Sequence, residues 1–348
     1  MKTLTSAALS VFLFIPTLHA APAKTRYFAD GLKVEAKLEA DGETTQFSIT
    51  RYDDAMNADE AIYGELTKEG EGAWRFEQKW SEDDDDGKEF VRTAKVTVKE
   101  GTLSYSEMKQ TAPANDDRKI PASGGPWKEI TAATVLKNAK ARYEIADKKL
   151  NEAYKKAKDE TGEKGLEALR EAQRNWIEYR DEMAERVTWD AARTLDGAED
   201  PDSVNFKSIP AYWRQLTFHT VDRTPVLLAW SGKSVAPGRA GTYTDSYGGT
   251  VTIKEKDGTV EFEIDVVRGP TFHLGNVGGT AKLSGDTATW TDAEKPEGEK
   301  AATVRLKFNA DKSLTVETEN ADAYHGARAH FDSQYFKTAP MQAEKKAP

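Results

Sequence analysis

A change of hydrophobic period constrains this chain more than any other feature. Apolar residues alternate at a period of two from about Arg26 to Met108. They recur at three- and four-residue steps from Trp127 to about Trp230, then alternate again from Gly241 to Lys337. A pattern of one period cannot serve the other element, because a strand buries every second residue and a helix every third or fourth. The expected fold class is therefore α+β. It comprises a central antiparallel helical hairpin or small bundle between two antiparallel β units, each a small barrel or a sandwich.

The last region shows the strand signal most sharply. Val260, Phe262, Ile264 and Val266 fall on one face, with Glu261, Glu263 and Asp265 on the other. The pattern returns at Val304, Leu306 and Phe308, and at Leu314 and Val316. Turn signals such as Gly248-Gly249, Asp257-Gly258 and Ser284-Gly285-Asp286 fall between the runs. About eight short strands result, and a closed barrel or a sandwich hides their inner faces. The first β region reads as a diverged copy. Asp41-Gly42 before Phe47 matches Asp257-Gly258 before Phe262, Trp74 matches Trp290, and Lys95 to Val98 with Leu103 matches Val304 to Leu306 with Leu314. The expectation is an internal duplication, with the acidic run Glu82 to Asp86 inserted at one turn.

In the middle, Leu136, Ala139, Tyr143, Ala146, Leu150, Ala153 and Ala157 form one helical stripe. Leu166, Leu169, Ala172, Trp176, Tyr179, Met183 and Val187 form a second. Gly162 to Gly165 joins them closely enough to force an antiparallel hairpin. Thr131 suits the N-cap of the first helix. A third helical stretch runs from Pro210 to Val221, with Pro225 limiting its continuation.

Residues 1–20 read as a secretory signal peptide, with Lys2 before an apolar run and small residues at Ala20 and Ala21. The expected organisation continues with an N-terminal β unit at 24–110, a linker at 111–126 and the helical domain at 127–230. A second linker at 231–239, a C-terminal β barrel or sandwich at 240–338 and a tail at 339–348 complete it. No later stretch approaches the roughly 20 apolar residues that a spanning helix needs. The expectation is a periplasmic or secreted protein, soluble once the signal is removed. The net charge is −10, or −11 without Lys2. This acidity argues against nucleic acid or anionic lipid as the main partner, because both select Lys and Arg. The chain contains no cysteine, which excludes disulfides, thiolate metal sites and a cysteine nucleophile.

Motifs for chemistry are missing. Gly232-Lys233-Ser234 lacks the first glycine of a phosphate-binding loop, since Leu227 stands there. Ser106 and Lys109 have the spacing of a penicillin-binding nucleophile without its companion motifs. His219, His273, His325 and His330 match no ligand spacing and read as scattered polar histidines. The Glu82 to Asp86 run lacks the glycine and spaced carboxylates of a calcium loop. A non-enzymatic protein with no metal site and no cofactor is expected.

One constellation is specific. ADKKLNEAYKKA carries Asp147, Leu150, Asn151 and Tyr154. LREAQRNWIEYRDEM carries Leu169, Gln173, Trp176, Tyr179, Arg180 and Asp181, and LTFHTVDRTPVL carries Leu216, Thr217, Arg223, Thr224 and Leu227. These spaced residues resemble the lysozyme-inhibitor LprI-like domain, a helical module of exported bacterial proteins. The resemblance covers the central region alone. Members of that family often carry a cysteine where Ala184 stands and a second before the Leu-Thr segment, so the disulfide that would tether the third helix is absent here.

The resemblance implies a binding protein that blocks a basic lysozyme, or another basic envelope protein, by steric and electrostatic means. Asp147, Asn151, Tyr154, Gln173, Trp176, Tyr179, Arg180 and Asp181 are the candidate motif or partner-binding residues. Read from their spacing alone, Gln173, Trp176 and Arg180 share one helical face and serve a hairpin core as readily as a partner. Arg180 has Asp147 or a backbone carbonyl in reach, and Asn151 has Gln173. The alternative function is a non-catalytic envelope or glycan-associated module, with Tyr243, Tyr247, Phe272 and Tyr324 available for sugar stacking. A hydrolase using carboxylates that the sequence does not pair ranks last.

Overall fold

The computed structural model describes residues 24–41, 44–56, 58–81, 89–111, 123–196, 200–230, 238–269, 271–292 and 300–340. The segment expected to be a signal peptide, the Glu82 to Asp86 run and the end of the tail lie outside the described residues. The described chain forms two eight-stranded antiparallel closed barrels with three helices between them in sequence. Of the two β architectures open from the sequence, closure is the one adopted. The chain divides into two compact units, one built on each barrel.

The first unit combines its barrel with residues 132–145 and 191–214. Strands β1 (Lys24–Asp30), β2 (Val34–Asp41), β3 (Thr44–Tyr52), β4 (Ala58–Gly70), β5 (Ala73–Ser81), β6 (Glu89–Lys99), β7 (Thr102–Thr111) and β8 (Gly124–Ile130) run up and down in order. Pairing of β1 with β8 at Tyr27↔Ile130 closes the ring. Alternation along each strand sends Phe28, Phe47, Ile49, Phe76, Val96 and Leu103 inward, each 1 % exposed or less. Eight strands leave a bore that such side chains fill.

The eighth strand differs from the sequence expectation. Gly124–Ile130 falls where the second half of the linker and the start of the helical domain were expected. Gly124, Gly125 and Pro126 read as breakers, yet Trp127 turns inward and packs on Tyr105 at 5.8 Å. A closed ring needs a last strand, and burial of the Trp127 indole offsets the weak strand preference of its neighbours.

The second unit combines the described residues of 146–190 and 215–340. Its barrel comprises β9 (Gly241–Thr244), β10 (Gly249–Lys256), β11 (Thr259–Arg268), β12 (His273–Ser284), β13 (Thr287–Thr291), β14 (Thr303–Phe308), β15 (Ser313–Glu319) and β16 (Ser333–Pro340). Pairing of β16 with β9 closes it. Val260, Phe262, Ile264 and Val266 face the interior as their alternation requires. Asp257 and Gly258, at φ 49° and 76°, form a two-residue turn between the paired Lys256 and Thr259. Two positive φ values in succession suit the twist of a hairpin.

Phe47 and Phe262, Trp74 and Trp290, Lys95 to Val98 and Val304 to Leu306, and Leu103 and Leu314 fall on strands of the same rank in each barrel. In the first barrel Phe47 pairs with Gly64, and Phe76 meets Phe47 edge-to-face at 5.6 Å. In the second, Phe262 pairs with Gly279, and Trp290 meets Phe262 edge-to-face at 6.0 Å. Each fourth-strand glycine makes room for the fifth-strand ring. A Cβ on Gly64 would lie 2.9 Å from Phe76, and one on Gly279 would lie 2.5 Å from the Trp290 indole nitrogen. Register thus puts Phe76, rather than Trp74, in the place of Trp290.

The helical span Ala132–Asp196 breaks at Gly162, whose φ of 66° and ψ of 172° lie outside the helical range. Glycine reaches that conformation without the Cβ clash other residues meet. The break defines α1 (132–161) and α2 (163–196), and it is shorter than the four-residue connection expected. Thr131 caps α1, its hydroxyl accepting from the Thr134 N–H at 3.2 Å. The third helix, α3 (Pro210–Trp230), runs past Val221 and through Pro225. Pro225 cannot donate to the preceding turn, a defect that costs about 3 kcal/mol in a helix interior. Burial of Val226, Leu227 and Ala229 just beyond it favours continuation.

Candidate functional site

Within the second unit, the quoted motif residues lie mostly on the facing sides of the helices. Leu150, Ala153 and Ala157 of α1 cluster with Leu169 and Trp176 of α2 and Leu227 of α3. Tyr154 and Tyr179 pack against this cluster, half-buried. Trp176 is fully buried. The Arg180 and Arg223 guanidinium carbons lie 5.2 and 5.7 Å from the centre of its ring. Such contacts combine apolar burial with the attraction of a cation for an aromatic face.

Arg223 organises the polar side of this core. Its Nε donates to Gln173 Oε1 at 3.2 Å, its Nη2 to the Ala172 carbonyl at 3.4 Å and its Nη1 to Ser246 Oγ at 2.9 Å. One guanidinium on α3 therefore holds α2 and the turn between β9 and β10 together. Only a planar fork with five donors reaches three acceptors in this way. Arg223 is 2 % exposed.

The candidate residues divide by burial. Gln173, Trp176 and Arg180 are buried, while Asp147, Tyr154 and Tyr179 are half-buried. Asn151 is exposed. Arg180 donates to Asp181 at 2.8 Å, and the Asp181 side chain is 43 % exposed. Asn151 donates to Asp147, to both its carboxylate and its carbonyl at 2.9 Å. Gln173 takes Arg223 where the spacing suggested Asn151. Tyr143, from the same helical stripe as Leu150, belongs instead to the first unit and packs on Trp213 at 5.5 Å. Ala184 is fully buried, and α3 is seated by Arg223 and Leu227 without a disulfide.

Around this core lie titratable groups that the motif did not flag. His219 of α3 meets Tyr179 edge-to-face at 5.6 Å. Burial, reinforced by the Arg180 charge, pulls the imidazole down to about 4. Tyr179 also packs on Tyr247 at 5.1 Å, and burial pushes its phenol up. Asp222 of α3 is pushed up to about 7 by burial and then by the nearby Asp245 charge. Asp245 accepts from Arg268 at 2.6 Å and from the N–H groups of Tyr247 and Gly249.

A separate charged cluster lies in the first unit. Glu35 of β2 accepts from Arg142 of α1 at 2.8 Å and from Arg214 of α3. Arg142 also donates to the Leu32 carbonyl at 3.0 Å and stacks on the Tyr52 ring at 3.9 Å. A glutamate on an otherwise ordinary strand gave no sign of this pairing, since neither arginine lies near it in sequence. It fastens helical segments to the first barrel.

Of the four aromatics considered for sugar stacking, Tyr243 is buried, while Tyr247, Phe272 and Tyr324 are half-buried. Tyr243 is 2 % exposed and donates to the Arg239 carbonyl. Tyr324 donates to Asp292, and Tyr247 donates to the Ala172 carbonyl. Among the described residues no group of His, Asp and Glu is arranged to hold a metal ion. No helix among them is long and apolar enough to cross a membrane.

No curated protein and no solved structure matches the chain. Residues 128–205, spanning the end of β8 and the hairpin α1–α2, match the family described as lysozyme inhibitor LprI. The match stops before α3, so Arg223 and Leu227 lie beyond it, and it is over the helical hairpin that this chain is similar to the lysozyme inhibitors.

Proposed function

We propose that this chain is an exported, non-catalytic binding protein that acts as a lysozyme inhibitor. The observation that carries this reading is the family match over residues 128–205, seated on a hairpin whose motif side chains form its core. The mechanism is steric and electrostatic. Host-type lysozymes are basic and hold two carboxyl groups in their cleft. A chain of net charge −10 is steered toward such an enzyme and resists its dissociation at low salt.

In this reading the buried Gln173, Trp176 and Arg180 shape the module, and contact falls to exposed groups such as Asn151 and Asp181. Titration calorimetry of the mature chain against a basic lysozyme tests the proposal. Saturable binding that weakens with added salt is the expected result. No heat and no complex at low ionic strength would remove lysozyme as the partner.

A further inference from the structure

We infer that Val267 and Leu274, an exposed apolar pair on the outside of the second barrel, form with Glu263 and Asp265 the surface that docks on a basic lysozyme. The inference rests on lysozyme as the partner, and it extends the contact from the helical hairpin to the barrel beside it. The outward positions of β11 are Glu261, Glu263, Asp265 and Val267, alternating with inward residues such as Ile264 and Val266. Three of the four outward residues are carboxylates, as suits a sheet face in water, and Val267 breaks the pattern. Leu274 of β12 breaks it at the matching place. It pairs with Val267 across the ladder, while the outward residues that follow it are Asn276, Gly278 and Thr280. Leu274 is 64 % exposed and Val267 38 %. Two apolar side chains held in water on neighbouring strands gain from a partner that covers them.

The pair adjoins the hairpin that carries the family match. The Val267 N–H donates to the Gly248 carbonyl at 2.8 Å. A Cβ on Gly248 would lie 2.1 Å from the Val267 carbonyl oxygen and 3.5 Å from the Tyr179 hydroxyl, so the α2 phenol ends against the backbone that carries Val267. Tyr179 also meets His219 at 5.6 Å, and the His219 ring meets that of Phe218, 44 % exposed, at 5.1 Å. Contacts thus run from the exposed Phe218 on α3 through Tyr179 to the exposed pair on the barrel.

Charge decides what this surface takes. The carboxylates nearest the pair, Asp265 and Glu263, face Thr250 and Thr252 on β10 and Asn276 and Gly278 on β12. None of these four is a cation. Lys254 and Lys282 stand opposite Glu261 and Thr259, toward the far end of β11. The segment beside β12, bridged at Gly275↔His325, carries Asp322 and Arg328, of opposite sign. The apolar pair therefore borders an acidic row. Such a surface repels a second copy of a chain of net charge −10 and suits a basic protein.

Titration calorimetry of the full mature chain against a basic lysozyme at low salt tests this. Val267→Thr combined with Leu274→Thr keeps side chains that suit an exposed strand. It is expected to weaken binding about tenfold or more with an unchanged unfolding midpoint. Glu263→Gln combined with Asp265→Asn is expected to weaken binding at low salt and to differ little from the unaltered chain at high salt. Hydroxyl-radical footprinting of the unaltered chain, with and without lysozyme, gives a reading free of any substitution, and Leu274 is expected to be shielded in the complex. Undiminished binding by the double-threonine chain, or a Leu274 that stays open to oxidation in the complex, overturns the surface and leaves lysozyme as the partner. Absence of binding by the unaltered chain removes lysozyme and this surface together. Self-association that the two threonines abolish, read by sedimentation velocity, would assign the pair to a second copy and also overturn the proposal.

Discussion

Arg223 and Gln173 meet 3.2 Å apart in the interior of the second unit, and this bond joins a residue outside the family match to one inside it. The arginine of the third segment is thus bound to the glutamine of the second. The pair gives both side chains a structural role inside the second unit. Replacing Arg223 by alanine leaves Gln173, the Ala172 carbonyl and Ser246 without their charged donor. The expected loss is about 2–4 kcal/mol of stability, read from denaturant unfolding of the second unit. Arg223→Lys is expected to recover little, because a single ammonium nitrogen cannot span acceptors that Arg223 reaches from three separate nitrogens.

The glycine that faces each barrel's edge-to-face aromatic pair makes a second prediction. Gly279→Ala forces a Cβ to within 2.5 Å of the Trp290 ring, so the second barrel is expected to lose about 1–3 kcal/mol. Gly64→Ala is expected to act on the first barrel in the same way. Trp290→Phe combined with Gly279→Ala is expected to recover part of the loss, because the smaller ring retreats from the new methyl. Thermal unfolding of these three variants and of Trp290→Phe alone checks this, and additive losses at Gly279 and Trp290 would speak against the steric account.

The buried charge cluster of the first unit predicts a larger effect. Glu35 pairs with both Arg142 and Arg214, and the Glu35 and Arg142 side chains are 9 % and 1 % exposed. Glu35→Ala leaves Arg142 buried without its counter-ion, with an expected cost of about 3–5 kcal/mol. Surface pairs offer the contrast. Lys155→Ala removes the exposed pair with Asp159, and no measurable change in unfolding midpoint is expected.

His219 and Asp222 pull stability in opposite directions with pH. His219 is held neutral when folded, so its contribution is full above about 6.5 and is lost as pH falls toward 4. Asp222 is held protonated when folded, so its contribution is full below 3.8 and is lost as pH rises toward 7. Between pH 4 and 6.5 the two slopes oppose, and unfolding of the second unit should depend weakly on pH. In Asp222→Asn, stability is expected to rise with pH across this window by up to about 1.4 kcal/mol per unit. In His219→Gln it is expected to fall at a similar rate.

The architecture was legible where one period ran long enough to declare itself. The alternation of Val260 to Val266 and the stripe of Leu150, Ala153 and Ala157 both lie where their periods placed them. Trp127 and Val226 to Ala229 were misjudged for a shared reason. Gly124-Gly125-Pro126 and Pro225 signal breaks locally, while the deciding energy comes from burial against distant residues that a local pattern does not contain. Polar partners were the least legible. Spacing put Gln173, Trp176 and Arg180 on one face, yet it carried no information that Arg223, 50 residues on, would take Gln173. The same holds for Glu35, whose partners lie 107 and 179 residues away.

The most direct test of the central claim is lysis of a bacterial cell-wall suspension by a basic lysozyme, with and without the mature chain, at low and high ionic strength. The account predicts a slowed loss of turbidity at low salt that weakens as salt rises, since an acidic surface acts over about one Debye length. Unchanged lysis at low salt and high excess of the chain would contradict it.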